Sequence, residues 1–283
     1  MSTPKIVRTK KELQTHVQRW HRAGQKVGLV PTMGALHHGH LSLVDYIAHS
    51  VDKIIATIFV NPTQFGAGED LDSYPRQEKQ DLEALSRTAC DLVFIPDASE
   101  IYPDGFSTTV SLSGITEILE GAKRPGHFDG VATVVTKLLL MSRCNVAVFG
   151  EKDYQQLAVI KQVTKDLDLP VTILGAPLIR EKDGLAASSR NAYLSEKERA
   201  IAAHLNQVLK ECVTLIHTGT PLREAERIAR QSLLDIGFES IDYITIVDPT
   251  SLKQLDSVTD INTARLLAVA RLGRVRLLDN MPV

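Results

Sequence analysis

The stretch Ile54 to Val60, IIATIFV, is an apolar, β-branched run with almost no polar alternation. A strand with one face in water alternates. A strand that does not alternate is buried on both faces, the situation of a parallel sheet covered by helices on either side. Asn61-Pro62 ends the run, and the pattern recurs nearby. Val27 to Val30, Leu92 to Ile95, Val146 to Phe149 and Val171 to Leu174 read as further short strands. Between them lie helical patterns. Thr9 and Glu12 form a capping box ahead of Leu13, Val17 and Trp20, with Gly24 as the stop. His40 to Ser50 places Leu41, Val44 and Ile47 on one face, and Gln77–Arg87, Gly130–Ser142 and Lys152–Leu167 follow. Alternating strands and helices predict an α/β fold with a doubly wound parallel sheet over residues 1–175.

After about residue 176 the pattern changes. Ser195 with Glu198 makes a second capping box, opening a helix to about His217. Thr220-Pro221 opens another, with proline at its first helical position, and Gly237 ends it. Ile241–Val247, Arg265–Leu272 and Val275–Leu278 then read as strands, the last two joined by the hairpin signal Gly273-Arg274. Residues 176–283 are therefore expected to form a second, smaller α+β domain with an antiparallel sheet.

Bulk composition narrows the class. The 32 Lys and Arg nearly balance the 34 Asp and Glu, without a basic run, so nothing points to nucleic acid or an anionic membrane surface. The longest apolar stretch, Val131 to Met141, is interrupted by Thr133, Thr136 and Lys137, too polar for a membrane span. Met1 to Lys11 is polar and charged, unlike a secretory signal. Cys90, Cys144 and Cys212 are odd in number and widely spaced, as expected of reduced, buried thiols in a cytoplasmic protein.

The segment VPTMGALHHGH, Val30 to His40, places three histidines just after the short strand Val27 to Val30. Ligands of open α/β sheets bind at the carboxyl ends of strands, and a helix N-terminus there suits phosphate. His37 and His40, three apart, are expected to face one side, with His38 turned elsewhere. Two alternatives stand beside an anion site: an ordinary turn, or zinc held by His37, His40 and Asp45 or His49. No H-E-x-x-H or cysteine pair supports the zinc. No G-x-G-x-x-G follows the first strand, and Gly121 to Gly126 has P-loop spacing but His127-Phe128 where Lys-Ser/Thr is required.

These residues, with others, carry a family resemblance. PTMGALHHGH resembles the HxGH signature of nucleotidyltransferases. FVNPTQF (Phe59–Phe65), EDLDSYPR (Glu69–Arg76), IYPDG (Ile101–Gly105), LEGAKRPGHFDGVATVV (Leu119–Val135), VFGEKDYQQL (Val148–Leu157), DGLAASSRNAYLS (Asp183–Ser195) and RLLDN (Arg276–Asn280) are similar, in order, to the pantoate–β-alanine ligase family. The resemblance implies a Rossmann-like N-terminal domain that binds ATP and pantoate, a smaller C-terminal lid and a homodimer. It also implies pantoyl adenylate formation from ATP and pantoate, with magnesium accompanying the nucleotide, then attack by β-alanine.

The resemblance also distributes roles. His37, His40, Lys152, Ser188, Ser189 and Arg190 are the expected catalytic phosphate contacts. Pro31, Met33, Phe149, Gly150, Asp153 and Ile179 complete the ATP site, Asp153 accepting from the ribose. Gln64 and Gln156, with Met33, match the pantoate positions. Asn61, Tyr74, Arg124 and His127 match the β-alanine side, and Asp81 is the candidate for assisting magnesium. No tightly bound organic cofactor is implied. Ala187 stands where the family often has a larger apolar residue. The competing readings are a nucleotidyltransferase that leaves the nucleotide on its product, a nucleotide-binding protein with a decayed site, and a metal hydrolase.

Overall fold

The computed structural model describes residues 3–257 and 263–283. Contacts divide the chain into two compact units. One is Met1–Glu151 with Gln155–Pro177, and the other is Lys152–Tyr154 with Leu178–Val283.

The first unit runs β1 (Lys5–Val7), α1 (Lys10–Arg22), β2 (Val27–Thr32), α2 (His38–Ala48), β3 (Lys53–Ile58), α3 (Glu78–Leu85) and β4 (Leu92–Phe94). It continues with the short α4 (Ala98–Ile101) and α5 (Leu119–Lys123), then α6 (His127–Ser142), β5 (Val146–Gly150), α7 (Tyr154–Asp166) and β6 (Thr172–Ala176). The six strands form one parallel sheet in the order β1-β4-β3-β2-β5-β6. This is the doubly wound, Rossmann-like α/β arrangement that the alternating pattern predicts. Both faces of the central strands are dry, as the IIATIFV run requires. Leu29, Val30 and Ile55 are each 0% exposed. Leu29 and Ile55 pack with α1, α6 and α7 through Leu13, Val17, Leu138 and Ile160. Val30 and Ala56 pack on the opposite face with α2 and α3 through Val44, Ile47 and Leu85.

The second unit carries α8 (Glu196–Ala202), α9 (His204–His217), α10 (Leu222–Ile236), β7 (Ser240–Val247), β8 (Arg265–Leu272) and β9 (Val275–Pro282). Its strands form an antiparallel sheet, β7-β8-β9. Leu205, Leu209, Leu233, Ile246 and Leu266 make a separate core.

Both capping boxes form as read, Thr9 with Glu12 and Ser195 with Glu198. Two expectations need correction, and one strand carries no local signal. The helix expected from Ser195 to His217 breaks at Ala203, whose N–H bonds to Ile201 O while the His204 ring sits against the Ala200 and Ile201 carbonyls. Pro221 is the N-cap of α10, with extended backbone, not its first helical residue. Strand β1 is the one without a local signal. It has three residues, and its place at the sheet edge comes from pairing with β4, a long-range fact invisible in a local pattern. Among the described residues no helix is long and apolar enough to cross a membrane. Cys90, Cys144 and Cys212 are buried free thiols.

Candidate active site

The sheet order sets the location. From β2 the chain crosses through α2 to β3, on one side. From β5 it crosses through α7 to β6, on the other. Strands β2 and β5 are neighbours, so their carboxyl ends flank the crevice where the winding direction reverses, the usual ligand position in such sheets. The histidine turn leaves β2, and the segment Gly150 to Asp153 leaves β5.

The turn after β2 is built from the strand outward. Thr32 Oγ1 donates to Thr57 O at 2.6 Å and accepts from Gly34 N at 3.2 Å. Gly34 (φ +80°) and Ala35 (φ +50°) follow in left-handed backbone. That geometry costs alanine about 1–2 kcal/mol. The next amides meet a buried acid. Ala35 N donates to Asp81 Oδ2 at 3.0 Å and Leu36 N to Asp81 Oδ1 at 2.7 Å.

His37 is the N-cap of α2. Its Nδ1 accepts from Gly39 N at 3.1 Å, and His40 Nδ1 accepts from His37 N at 3.4 Å. Two imidazoles thus perform the reciprocal capping usually done by a hydroxyl and a carboxylate. Since each Nδ1 is an acceptor, the neutral ring of each carries its proton on Nε2. The two ring centroids are 4.1 Å apart. His38 is exposed, with its ring edge-on to His37 at 5.9 Å. The i and i+3 pair is brought together as expected, and its Nδ1 atoms serve the helix cap.

A second cluster surrounds Gln64, in the 3-10 turn Pro62–Gln64. Its Nε2 donates to Met33 Sδ at 3.0 Å and its Oε1 accepts from Asn61 Nδ2 at 3.1 Å. Asn61 is 1% exposed. Its amide also donates to Gly130 O at 3.2 Å, and its Oδ1 accepts from Tyr102 OH at 2.8 Å. Asn61 therefore stands behind Gln64 and fixes which way that amide points. Gly130 on α6 is required at this contact: a Cβ there would lie 2.3 Å from Thr63 O and 2.7 Å from Gln64 Cα.

Arg124 grips Glu69 bidentately, Nε to Oε1 and Nη2 to Oε2 both at 2.6 Å. Its Nη1 is 3.0 Å from His127 Nε2, and His127 Nδ1 is 2.8 Å from Gln64 O. An arginine only donates, so His127 Nε2 is the acceptor and Nδ1–H donates to the Gln64 carbonyl. Burial, then the Arg124 charge, push the His127 pKa down to about 4. Burial alone would raise the Glu69 carboxyl, but hydrogen bonds and charge from Arg124 hold it below its ordinary value. Tyr74 is buried, edge-on to Phe65 at 5.8 Å.

The glutamines of GEKDYQQL separate clearly. Gln155 is buried and staples the chain ahead of α5, accepting from Glu120 N and donating to Ile115 O and Ile118 O. Gln156 is half-buried. Phe149 is 5% exposed at the end of β5, and Pro31 is half-buried at the end of β2.

In the second unit, Lys152 keeps partial exposure, with Nζ 3.7 Å from Asp153 Oδ1. Its carbonyl accepts from Asn280 Nδ2 at 3.0 Å, and Asn280 Oδ1 accepts from Arg265 Nε at 2.8 Å. The Arg265 guanidinium lies over the Tyr154 ring at 4.0 Å. The serine segment is a small hairpin in which Ala187 N donates to Ile179 O at 3.0 Å, and Ser188 caps the 3-10 turn Ser189–Tyr193. Arg180 clamps its base with a bidentate pair to Asp279 at 2.7 and 2.8 Å, and also donates to Gly184 O. Ser188, Ser189 and Arg190 are all half-buried on this framework. Sequence reading missed the framing residues Arg180, Asp279, Asn280 and Tyr102. RLLDN, for Asp279 and Asn280, and IYPDG, for Tyr102, carried the available signal, as matched motifs without a role.

One assignment is corrected. Asp81 is 1% exposed, and its carboxylate already accepts from Ala35, Leu36 and, at 3.4 Å, Gln77 Nε2. A ligand for a well-hydrated cation needs lone pairs facing solvent or substrate, so Asp81 does not fit a magnesium ligand. Among the described residues no three His, Cys, Asp or Glu side chains gather as a metal cage.

Comparison with known proteins agrees along the whole chain. Residues 5–282 match the family model described as pantoate-beta-alanine ligase. A pantothenate synthetase of Caulobacter vibrioides is 51% identical over 284 residues, covering 100% of both chains. The solved pantothenate synthetase of Thermus thermophilus superposes with a TM-score of 0.93 at 42% identity, covering 98% of this chain and 99% of that one. A Francisella tularensis pantoate-beta-alanine ligase, solved as a complex with beta-gamma ATP and β-alanine, gives a TM-score of 0.84 at 35% identity, covering 99% and 97%. A turn at the switch point of a doubly wound sheet, aimed by its own histidines, and full-length similarity of this kind lead to one conclusion: the chain belongs to the pantoate–β-alanine ligase family.

Proposed function

We propose that this chain condenses pantoate with β-alanine at the expense of ATP, releasing AMP and pyrophosphate. The observation that carries the reading is the His37–His40 pair. Both rings use Nδ1 for the helix cap, so both present a proton on Nε2 at the carboxyl end of β2. A carboxylate is a poor acyl donor, and AMP makes it a good one. In the first step a pantoate carboxylate oxygen attacks the α-phosphorus and the bond to pyrophosphate breaks. Charge concentrates there, and donors positioned beforehand stabilise it. We assign His37, His40, Lys152, Ser188, Ser189 and Arg190 to that charge. In the second step the β-alanine amine attacks the acyl carbon and AMP departs.

Pro31, Met33, Phe149, Gly150 and Ile179 are assigned to the nucleotide, with Asp153 accepting from ribose hydroxyls. Gln64 meets pantoate with its –NH2 outward, because Asn61 holds its oxygen. Gln156 and Met33 complete that subsite. The Arg124–His127–Glu69 group, with Asn61 and Tyr74, supports the wall on the β-alanine side. The ATP and pantoate contacts thus fall mainly in residues 1–175, and residues 176–283 supply the serine–arginine segment. Magnesium is taken to arrive on the triphosphate. Ala187, 4% exposed, leaves less apolar bulk beside the adenylate than a larger residue would. We also propose a cytoplasmic homodimer, to be checked by sedimentation.

The test is direct. Incubate the protein with ATP, magnesium, pantoate and β-alanine, omit each in turn, and follow AMP and pyrophosphate. AMP must require all components. A nucleotidylated product accumulating in the presence of β-alanine favours the simpler transferase and overturns the ligase reading.

A further inference from the structure

The buried carboxylate of Asp81 touches the histidine turn from below, and it comes from a different element. Asp81 lies in the first turn of α3, while Ala35 and Leu36 belong to the loop between β2 and α2. Its two oxygens take one amide each, at 3.0 and 2.7 Å, immediately before the N-cap His37. Those amides follow Gly34 and Ala35, both in left-handed backbone. A single carboxylate therefore offsets the strain of the turn and satisfies two amides that would otherwise be buried without acceptors. The fit is close: a Cβ on Gly34 would lie 2.9 Å from Asp81 Oδ2 and 3.1 Å from Ile58 Cγ2.

We propose that Asp81 is a positioning residue for adenylate formation: its carboxylate fixes the backbone turn that aims His37 and His40. The inference rests on the assignment of those histidines to ATP. The carboxylate does not touch the reactants. It sets the direction from which α2 starts, and with it the direction of both rings. Asp81 thereby exchanges a metal-binding role for a geometric one. The consequence is specific to one half of the reaction. The histidines are assigned here to the charge that builds on the departing pyrophosphate, and the pyrophosphate has gone once the pantoyl adenylate exists, while the α-phosphate stays on the intermediate.

Asp81→Asn tests this, because the amide keeps the shape but turns an –NH2 against one of the two backbone donors. The expected result is a loss of about 10²-fold in pyrophosphate release from ATP and pantoate, the scale of an ångström-sized misplacement. Aminolysis of supplied pantoyl adenylate by β-alanine stays within about threefold of wild type, since the displaced donors act on the departed charge. The magnesium concentration for half-maximal rate is unchanged. Gly34→Ala disturbs the same turn with the charge retained, so it is expected to show the same split and carries the test should Asp81→Asn fail to fold. Equal losses in both half-reactions overturn the proposal, as does an undiminished adenylation rate. So does a shift of about tenfold or more in the magnesium requirement, the mark of a residue that supports a metal. A wild-type protein that releases no pyrophosphate from ATP and pantoate sinks the functional reading instead, and is told apart by that control.

Discussion

At the scale of single residues, the histidine segment shows how one side chain serves fold and chemistry together. His37 and His40 cap α2 through Nδ1 and keep their protons on Nε2. His40→Ala removes a cap acceptor and a donor, so adenylation is expected to fall by about 10²–10⁴-fold, as for a lost catalytic donor. His38→Ala is expected to be nearly silent, because that ring is exposed. Steady-state rates of pyrophosphate release check both, and a large loss at His38 would place that ring, not its neighbours, on the phosphates. His127 supplies a stability prediction. Its folded pKa is about 4, against an ordinary value of 6.5, so between those values the unfolded chain binds the extra proton. The neutral ring's contribution is thus complete above pH 6.5 and is lost as pH falls towards 4. Thermal unfolding across that window is expected to drop more steeply in wild type than in His127→Gln, whose amide neither titrates nor loses its donor. The spacing of the histidines was legible in the sequence. The Asp81 carboxylate beneath them was not, since forty-odd residues separate the partners and only the sheet brings them together.

At the scale of elements, legibility followed periodicity. Strand β3 announced itself through IIATIFV, and β8 was read to both its ends, at Arg265 and Leu272. Strand β1 has too few residues to show a period, and α4 and α5 are single turns created by their surroundings. Helix α6 was read from Gly130 but starts at His127, because His127 bonds sideways to the Gln64 carbonyl and shows no apolar repeat. That junction is where an element sets a site. Helix α6 meets the Pro62–Gln64 turn at Gly130, which leaves no room for a methyl group. Gly130→Ala must push the turn or the helix aside. Overpacking of this kind costs about 1–3 kcal/mol in stability. Because the displaced atoms include Gln64 Cα, the KM for pantoate is expected to rise more than that for ATP. Titrating each substrate separately checks this, and equal changes in both would detach Gln64 from pantoate.

At the scale of the whole molecule, the decisive feature is two cores that share no buried residue. Leu29, Ile55 and Phe94 anchor one, and Leu209, Leu233 and Leu266 the other. The change in pattern near residue 176 made the second unit legible, but the return of Lys152–Tyr154 to it was not legible. Those residues read as the start of a helix after β5. Their allegiance comes from Asn280 on the Lys152 carbonyl, Arg265 on the Tyr154 ring and the Tyr154 hydroxyl on Pro249 O. The proposed phosphate lysine is therefore held by the same unit that carries Ser188 to Arg190. Damage to the second core should then reach the chemistry without loosening the parallel sheet. Leu209 is 0% exposed on α9, so Leu209→Ala is expected to cost about 2–5 kcal/mol, as for leucines deleted from a packed core. Hydrogen exchange should quicken in β7, β8 and β9 and stay slow in β2 and β3. Adenylation should fall while that protection persists, because Lys152 and the serine segment lose their framework and the histidine turn does not. If exchange quickens equally in both sheets, the two cores unfold as one cooperative body. If adenylation survives the loss of protection in β7–β9, then neither Lys152 nor the serine segment depends on that framework, and their assignment to the triphosphate fails with it.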